Sequence, residues 1–226
     1  KNKGGNARIA ETMFRYFRWP ERFADFVWLS QIQQGLAIKT AVMHWRSLKP
    51  HCMGTLYWQL NDTWPVCSWS SLDYGGGWKM LHHMARDFYK PVIVTAVPQG
   101  ERIALHAVND TALPVRLTVR LVAAALDGTT REIGHHEITV MPDAALGFAS
   151  VPAGAVADQE ILAMVWQGDG HAGGDIHAPR AWKSYNLPDP RLTCAATSDN
   201  GNWTITVTSQ ALSLLSVLCL QGDSTC

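Results

Sequence analysis

The sequence predicts an α/β segment followed by an all-β region, and three observations carry that prediction. The spacing of apolar residues changes near residue 90, from three-to-four to two. Ahead of the change, a short apolar run lies between helical stretches and leads into a long polar loop. Behind it, seven strand-like runs are separated by frequent turn signals, the pattern of an immunoglobulin-like β-sandwich.

Taken in order, Asn6 is an N-cap candidate, followed by Ile9, Met13 and Phe17 at four-residue spacing. Pro20 ends that helix or opens the next. A long helix is predicted over 25–49, with Trp28, Ile32, Leu36 and Met43 on one face, and Pro50 stops it. The run 52–60 is mostly apolar and too short for a helix, which suits a strand buried on both faces in a parallel sheet. Residues 61–77 are rich in Asn, Asp, Ser, Gly and Pro and read as a loop. A loop of that length is often functional. A further helix is predicted over 78–89, with Met80, Leu81, Met84 and Phe88 inward and Pro91 closing it.

Beyond Pro91 the strand-like runs are 92–97, 102–109, 115–125, 131–140, 146–151, 160–167 and 176–184. In the third, Leu117, Val119 and Leu121 alternate with Arg116, Thr118 and Arg120. Asp127-Gly128 between two runs marks a hairpin. After the linker-like stretch from Asn186 to Pro190 come runs at 191–197, 202–209 and 213–220. So few strands cannot close a sandwich, so 186–226 is expected to be an incomplete second one, and 91–185 the only complete folding unit.

Composition narrows the function. Of 226 residues 47% are hydrophobic, enough for a packed core. Nineteen basic and nineteen acidic residues leave a net charge of zero, which argues against a nucleic-acid partner. No apolar run reaches a membrane-spanning length and no polybasic run suits a membrane surface. Five cysteines at irregular spacing read as buried or idle thiols rather than a disulfide framework.

The ten tryptophans are the outlier, because seven of them fall in the first 78 residues. The segment Gly54-Thr-Leu-Tyr-Trp-Gln-Leu-Asn-Asp-Thr-Trp-Pro65 takes the predicted strand into the long loop and carries an amide, a carboxylate and two indoles. Any one of these indoles alone reads as core, since Trp is highly buried on average. Together they suit a carbohydrate site: a pyranose stacks its apolar face on an indole, and Asn and Asp bond its hydroxyls. Other constellations are weak. His82-His83 on a helix diverge by about 100°, and His135-His136 on a strand face opposite ways. His171, Asp175 and His177 sit in a glycine-rich stretch read as a loop, without a metal-binding motif. Ser68, Ser70 and Ser71 lack a nucleophile elbow.

The block from Trp58 to Pro65, with Ser68-Trp-Ser-Ser-Leu-Asp-Tyr74 and Trp78-Lys-Met-Leu-His-His83, resembles the C-terminal part of glycoside hydrolase family 2 β-mannosidases. Ser30-Gln31 with Gln34, Ile38-Lys39 and His44-Trp45-Arg46 resemble the preceding helix of that family. The resemblance implies that 1–90 is the last part of a (β/α)₈ catalytic barrel with its eighth strand, 91–185 an immunoglobulin-like sandwich, and 186–226 the start of a second. It implies a retaining exo-acting enzyme on terminal β-D-mannose. Two catalytic Glu would lie upstream of Lys1, so no catalytic residue and no activity are expected in this chain. Its Glu residues (11, 21, 101, 132, 137 and 160) match no catalytic motif of that family.

What the resemblance carries over is Trp58 as the platform under the sugar, with Asn61, Asp62 and Trp64 as rim candidates. A lone Asp62 cannot perform either standard two-carboxylate scheme. No cofactor and no metal are implied, and the partner is a β-mannoside or related oligosaccharide. The alternatives are an exo-β-glucosaminidase or an endo-acting mannosidase of the same family. From another class, a non-catalytic carbohydrate-binding or structural sandwich is the rival. Such a module would hold its Trp on the sandwich, whereas here most precede it.

Overall fold

The computed structural model describes residues 3–217. Three helices, α1 (Gly5–Tyr16), α2 (Phe23–Arg46) and α3 (Met80–Phe88), precede nine strands. The strands are β1 (Val92–Gln99), β2 (Arg102–Asn109), β3 (Val115–Ala125), β4 (Thr130–Val140), β5 (Ala144–Pro152), β6 (Glu160–Gly168), β7 (His171–His177), β8 (Thr193–Asp199) and β9 (Asn202–Thr208). Among the described residues no helix is long and apolar enough to cross a membrane.

Strands β1, β2 and β5 form one antiparallel sheet, and β4, β3, β6 and β7 another. The alternation in β3 does what the sequence asks of it: Val115, Leu117, Val119, Leu121 and Ala123 are buried, while Arg116 and Arg120 face out. Ile103, Leu105 and Ala107 of β2 and Leu162, Met164 and Trp166 of β6 are buried, so the two sheets share one apolar interior. At the β3–β4 turn the Asp127 carboxylate accepts from the Thr129 amide (2.9 Å) and hydroxyl (2.7 Å) around Gly128.

This interior does not stop at the sheets. Ile32, Val42 and Met43 of α2 and Met80, Leu81, Met84 and Phe88 of α3 belong to the same contiguous core as Val92, Leu105 and Trp166. The interior of the 91–185 sheets is thus continuous with residues of α2 and α3. Polar bridges reinforce the continuity. Buried Arg46 at the end of α2 donates to the carbonyls of Phe88 and Lys90 (2.8 Å) and to Asp110 (2.7 Å) in the β2–β3 loop. Lys49 pairs with the same Asp110 at 2.5 Å. Lys39 pairs with Asp175 on β7. Helices α2 and α3 approach closely at Gly35, where a β-carbon would lie 2.6 Å from the Met84 sulfur.

Three predicted elements differ. The run 52–60 forms no strand ladder among the described residues, and only Gln59 and Leu60 at its end accept backbone bonds, from 71–72. A strand buried on both faces needs a hydrogen-bonded neighbour on each side, and no described segment supplies one along 52–58. The seventh sheet strand is β7 at His171–His177 rather than 176–184, so the glycine-rich stretch is strand and not loop. Its glycines serve the neighbouring strand, since a β-carbon on Gly173 would lie 2.4 Å from the Trp166 ring. Finally, β8 and β9 pair only with each other, and 211–217 adds no third strand. Instead the Leu212 amide bonds Leu126 O (3.0 Å), and Leu215 and Val217 pack on the main core. The rest of the predicted run, 218–220, lies outside the described residues.

Candidate functional site

Burial alternates along 55–60. Thr55, Tyr57 and Gln59 are partly covered, whereas Leu56, Trp58 and Leu60 are open, Leu56 at 98% and Trp58 at 75% exposure. The covered face is held from behind: Tyr89 shares a 3.1 Å hydroxyl contact with Thr55, and its ring stacks on Tyr57 at 6.4 Å. The Tyr57 hydroxyl donates to Ser71 Oγ (2.9 Å). Large apolar side chains on the open face have no cover among the described residues.

Past Trp58 the chain is fixed by a small zipper of backbone bonds. The Ser71 amide donates to the carbonyls of Gln59 (3.0 Å) and Leu60 (3.2 Å), Leu72 N to Leu60 O (2.8 Å) and Asp62 N to Leu72 O (3.3 Å). On the far side Lys79 N donates to Ser71 O (3.0 Å) and Asp73 N to Gly77 O (3.0 Å). Segments 59–62, 71–73 and 77–79 therefore lie side by side. The Trp58–Gln59 peptide bond is cis.

Between these segments sits a buried charge. Asp62 is 5% exposed. Its Oδ1 accepts from Ser68 Oγ at 2.5 Å and its Oδ2 from Ser70 Oγ at 2.6 Å. Lys79 Nζ donates to Ser70 Oγ (2.8 Å) and reaches Asp62 Oδ2 at 3.3 Å. The hydroxyls of Ser68 and then Ser70 hold the Asp62 carboxyl below its ordinary value, with Lys79 adding to the same direction against partial burial. Helix α2 supports the loop as well: Gln34 Nε2 donates to Trp69 O (2.7 Å), and Gln31 Oε1 accepts from Met80 N (3.1 Å) in the first turn of α3. His82 Nδ1 lies 3.1 Å from Ser71 Oγ, and the Trp78 ring meets the His82 ring edge-on at 4.4 Å.

The four sequence-derived candidates thus separate. Trp58 and Trp64 are open, Trp64 at 61% exposure. Asn61 is exposed, with its amide nitrogen 3.2 Å from Asp62 O. Asp62 differs from them: it is buried, and both its oxygens are engaged inside the loop. Sequence reasoning passed over Lys79, Ser68 and Ser70 as partners of Asp62. The one signal was a serine-rich stretch followed by a lone lysine, which has no characteristic spacing. His171, Asp175 and His177 share the strand β7, but Asp175 is taken by Lys39. Among the described residues no cluster of His, Cys, Asp and Glu could hold a metal ion. Cys52, Cys67 and Cys194 are free thiols, and of these Cys67 and Cys194 are exposed rather than buried.

No family model matches the chain. Individual proteins do. The chain is 37% identical over 134 aligned positions to a β-mannosidase of Capra hircus, an alignment covering 52% of this chain and 15% of that protein. It is 28% identical over 212 positions to β-mannosidase A of Aspergillus clavatus, covering 83% of this chain and 23% of that protein. Among solved structures, the β-D-mannosidase of Dictyoglomus thermophilum superposes with a TM-score of 0.89 at 24% identity, over 97% of this chain and 28% of that one. The exo-chitosanase of Amycolatopsis orientalis superposes at 0.72 with 18% identity, over 90% of this chain and 28% of that one. These two likenesses are of fold. The chain spans less than a quarter of the length of either curated relative.

Proposed function

We propose that this chain, which resembles the glycoside hydrolase family 2 β-mannosidases in sequence and shares the fold of one of them, forms part of a retaining exo-β-mannosidase. In this reading 1–90 closes a (β/α)₈ barrel, with 52–60 as its eighth strand. Residues 91–185 are an immunoglobulin-like sandwich, and 186–226 begin a second. The two-faced stretch 55–60 supports the barrel. A barrel strand is covered outside by helices and inside by side chains of the other strands, which accounts for a covered Tyr57 face and an open Leu56–Trp58 face. The sheet orders β1-β2-β5 and β4-β3-β6-β7 support the second assignment: they match the two sheets of a seven-strand immunoglobulin-type sandwich except that the fourth strand pairs with the third instead of the fifth.

The observation that carries the function is Trp58, largely exposed near the end of this segment, in a block whose sequence resembles β-mannosidases. Its indole would lie under the sugar at the cleaved bond. Retaining chemistry then needs two carboxyl groups about 5–5.5 Å apart. One protonates the glycosidic oxygen as the bond breaks. The other attacks the anomeric carbon to give a glycosyl-enzyme, which water hydrolyses. Both carboxylates belong to parts of the protein outside this chain. No metal or cofactor enters the scheme.

The test is to express the protein that contains this chain and assay 4-nitrophenyl β-D-mannoside, following the first-formed anomer by NMR. Release of β-mannose is expected, and α-mannose or no turnover overturns the reading. The 226-residue chain alone is expected to give no turnover above a blank. A second reading, hydrolysis of a β-glucosaminide, takes its support from the shared fold with the exo-chitosanase. A higher kcat/KM on the glucosaminide than on the mannoside would favour it.

A further inference from the structure

We propose that Asp62, Lys79, Ser68 and Ser70 together form a positioning device that sets the indoles of Trp58 and Trp64 for a sugar ring. The proposal rests on the reading of Trp58 as the sugar platform. Trp58 and Trp64 are 75% and 61% exposed within this chain, so no described residue packs over their rings. Within this chain their placement comes from the backbone on which they stand. That backbone is gripped at two levels. Segment 59–62, directly after Trp58, is zipped to 71–72 by main-chain bonds. Loop 62–70, which carries Trp64, is then drawn shut by one carboxylate, because Asp62 at its start accepts from Ser68 and Ser70 at its end.

Ser70 is fully buried; its hydroxyl has Asp62 Oδ2 (2.6 Å) and Leu72 O (2.7 Å) as acceptors in reach, and its oxygen accepts from Lys79. The Lys79 ammonium thus closes a three-group chain from α3's first residues back to the Trp64 loop. Apolar residues of similar volume would hold such a loop at least as stably, since burying an ion pair costs desolvation. What directional hydrogen bonds to one carboxylate add is a single geometry. A platform needs this, because a displacement of about 1 Å can cost on the order of 10²-fold in rate. The four groups bond one another. They act through the loop.

The experiment uses the full-length protein with Asp62→Asn, Ser68→Ala, Lys79→Met and Lys79→Arg. Two readouts are taken: hydroxyl-radical oxidation of Trp58 and Trp64 by peptide mass spectrometry, with and without methyl β-D-mannoside, and kinetics on 4-nitrophenyl β-D-mannoside. Asp62→Asn and Lys79→Met are expected to alter the oxidation rates of both indoles, abolish their protection by the sugar, and lower kcat/KM by roughly 10²-fold. Lys79→Arg, which keeps the charge, recovers part of the loss. If Lys79→Met fails to fold, Asp62→Asn and Ser68→Ala carry the test. Folded variants that lose thermal stability but keep wild-type oxidation rates and kcat/KM overturn the proposal and leave a mere loop staple. Should the wild type neither turn over the mannoside nor show protection, the function reading fails. The sugar-free oxidation rates then still decide whether the device sets the indoles.

Discussion

Two tryptophans show how placement decides a residue's part. Trp166 on β6 is 4% exposed and lies against Gly173, whereas Trp58 stands open on an unpaired segment. Trp166→Ala removes a packed core ring and should cost about 3–5 kcal/mol of stability, read from the urea midpoint. Trp58→Ala should leave that midpoint nearly unmoved and lower kcat/KM of the full-length protein about 10²-fold. An unchanged kcat/KM in a folded variant would remove Trp58 from the site. Asp62 adds a dependence on pH. Its native carboxyl is held below the unfolded value by Ser68 and Ser70. Its contribution is therefore fully present above the unfolded pKa of about 3.9 and is lost as pH falls through the lowered native value. Amide protection at Ser71 and Leu72 should drop across that acid window, and Asp62→Asn should remove the dependence.

At the scale of elements, single polar side chains join what the backbone leaves separate. Arg46 ties the end of α2 to the carbonyls closing α3 and to Asp110 between β2 and β3. Arg46→Met leaves the Phe88 and Lys90 carbonyls without their donor, while Asp110 keeps Lys49. A loss of about 1–3 kcal/mol is expected, mainly from those two carbonyls, since Asp110 is exposed and keeps its second cation. Equilibrium urea unfolding checks it, and a change under 1 kcal/mol would mean that the apolar contacts of α2 suffice by themselves. Helix α2 is unusual in how many of its polar residues reach other elements. Gln31 bonds α3, Gln34 the Trp69 loop, Lys39 strand β7 and Arg46 the β2–β3 loop.

For the whole molecule, the shared core predicts shared protection. Amide exchange should be slow in β1, β2, β3 and β6 and also in the buried stretches of α2 and α3, because all line one interior. The hairpin β8–β9 is exposed on both faces and should exchange fast. Its Trp203, Ile205 and Val207 alternate onto one side with nothing described against them. Fast exchange of α2 and α3 beside slow sheets would show that the helices dock too weakly to share the core.

Periodicity by itself determined the three helices and, to within a few residues, most of the strands, because each buries one face and the repeat of 3.6 or 2 is written in neighbouring residues. The indole-rich block and its resemblance to β-mannosidases were also local. Tertiary structure alone decided the rest. His171–His177 is a strand because Gly173 yields space to Trp166, a residue on another strand. The segment 52–60 stays unladdered because pairing depends on partners elsewhere, not on its own apolar content. Asp62 turned inward because Ser68, Ser70 and Lys79, up to seventeen positions away, converge on it. A carboxylate's role is set by the donors around it, and those are brought together only when the chain folds.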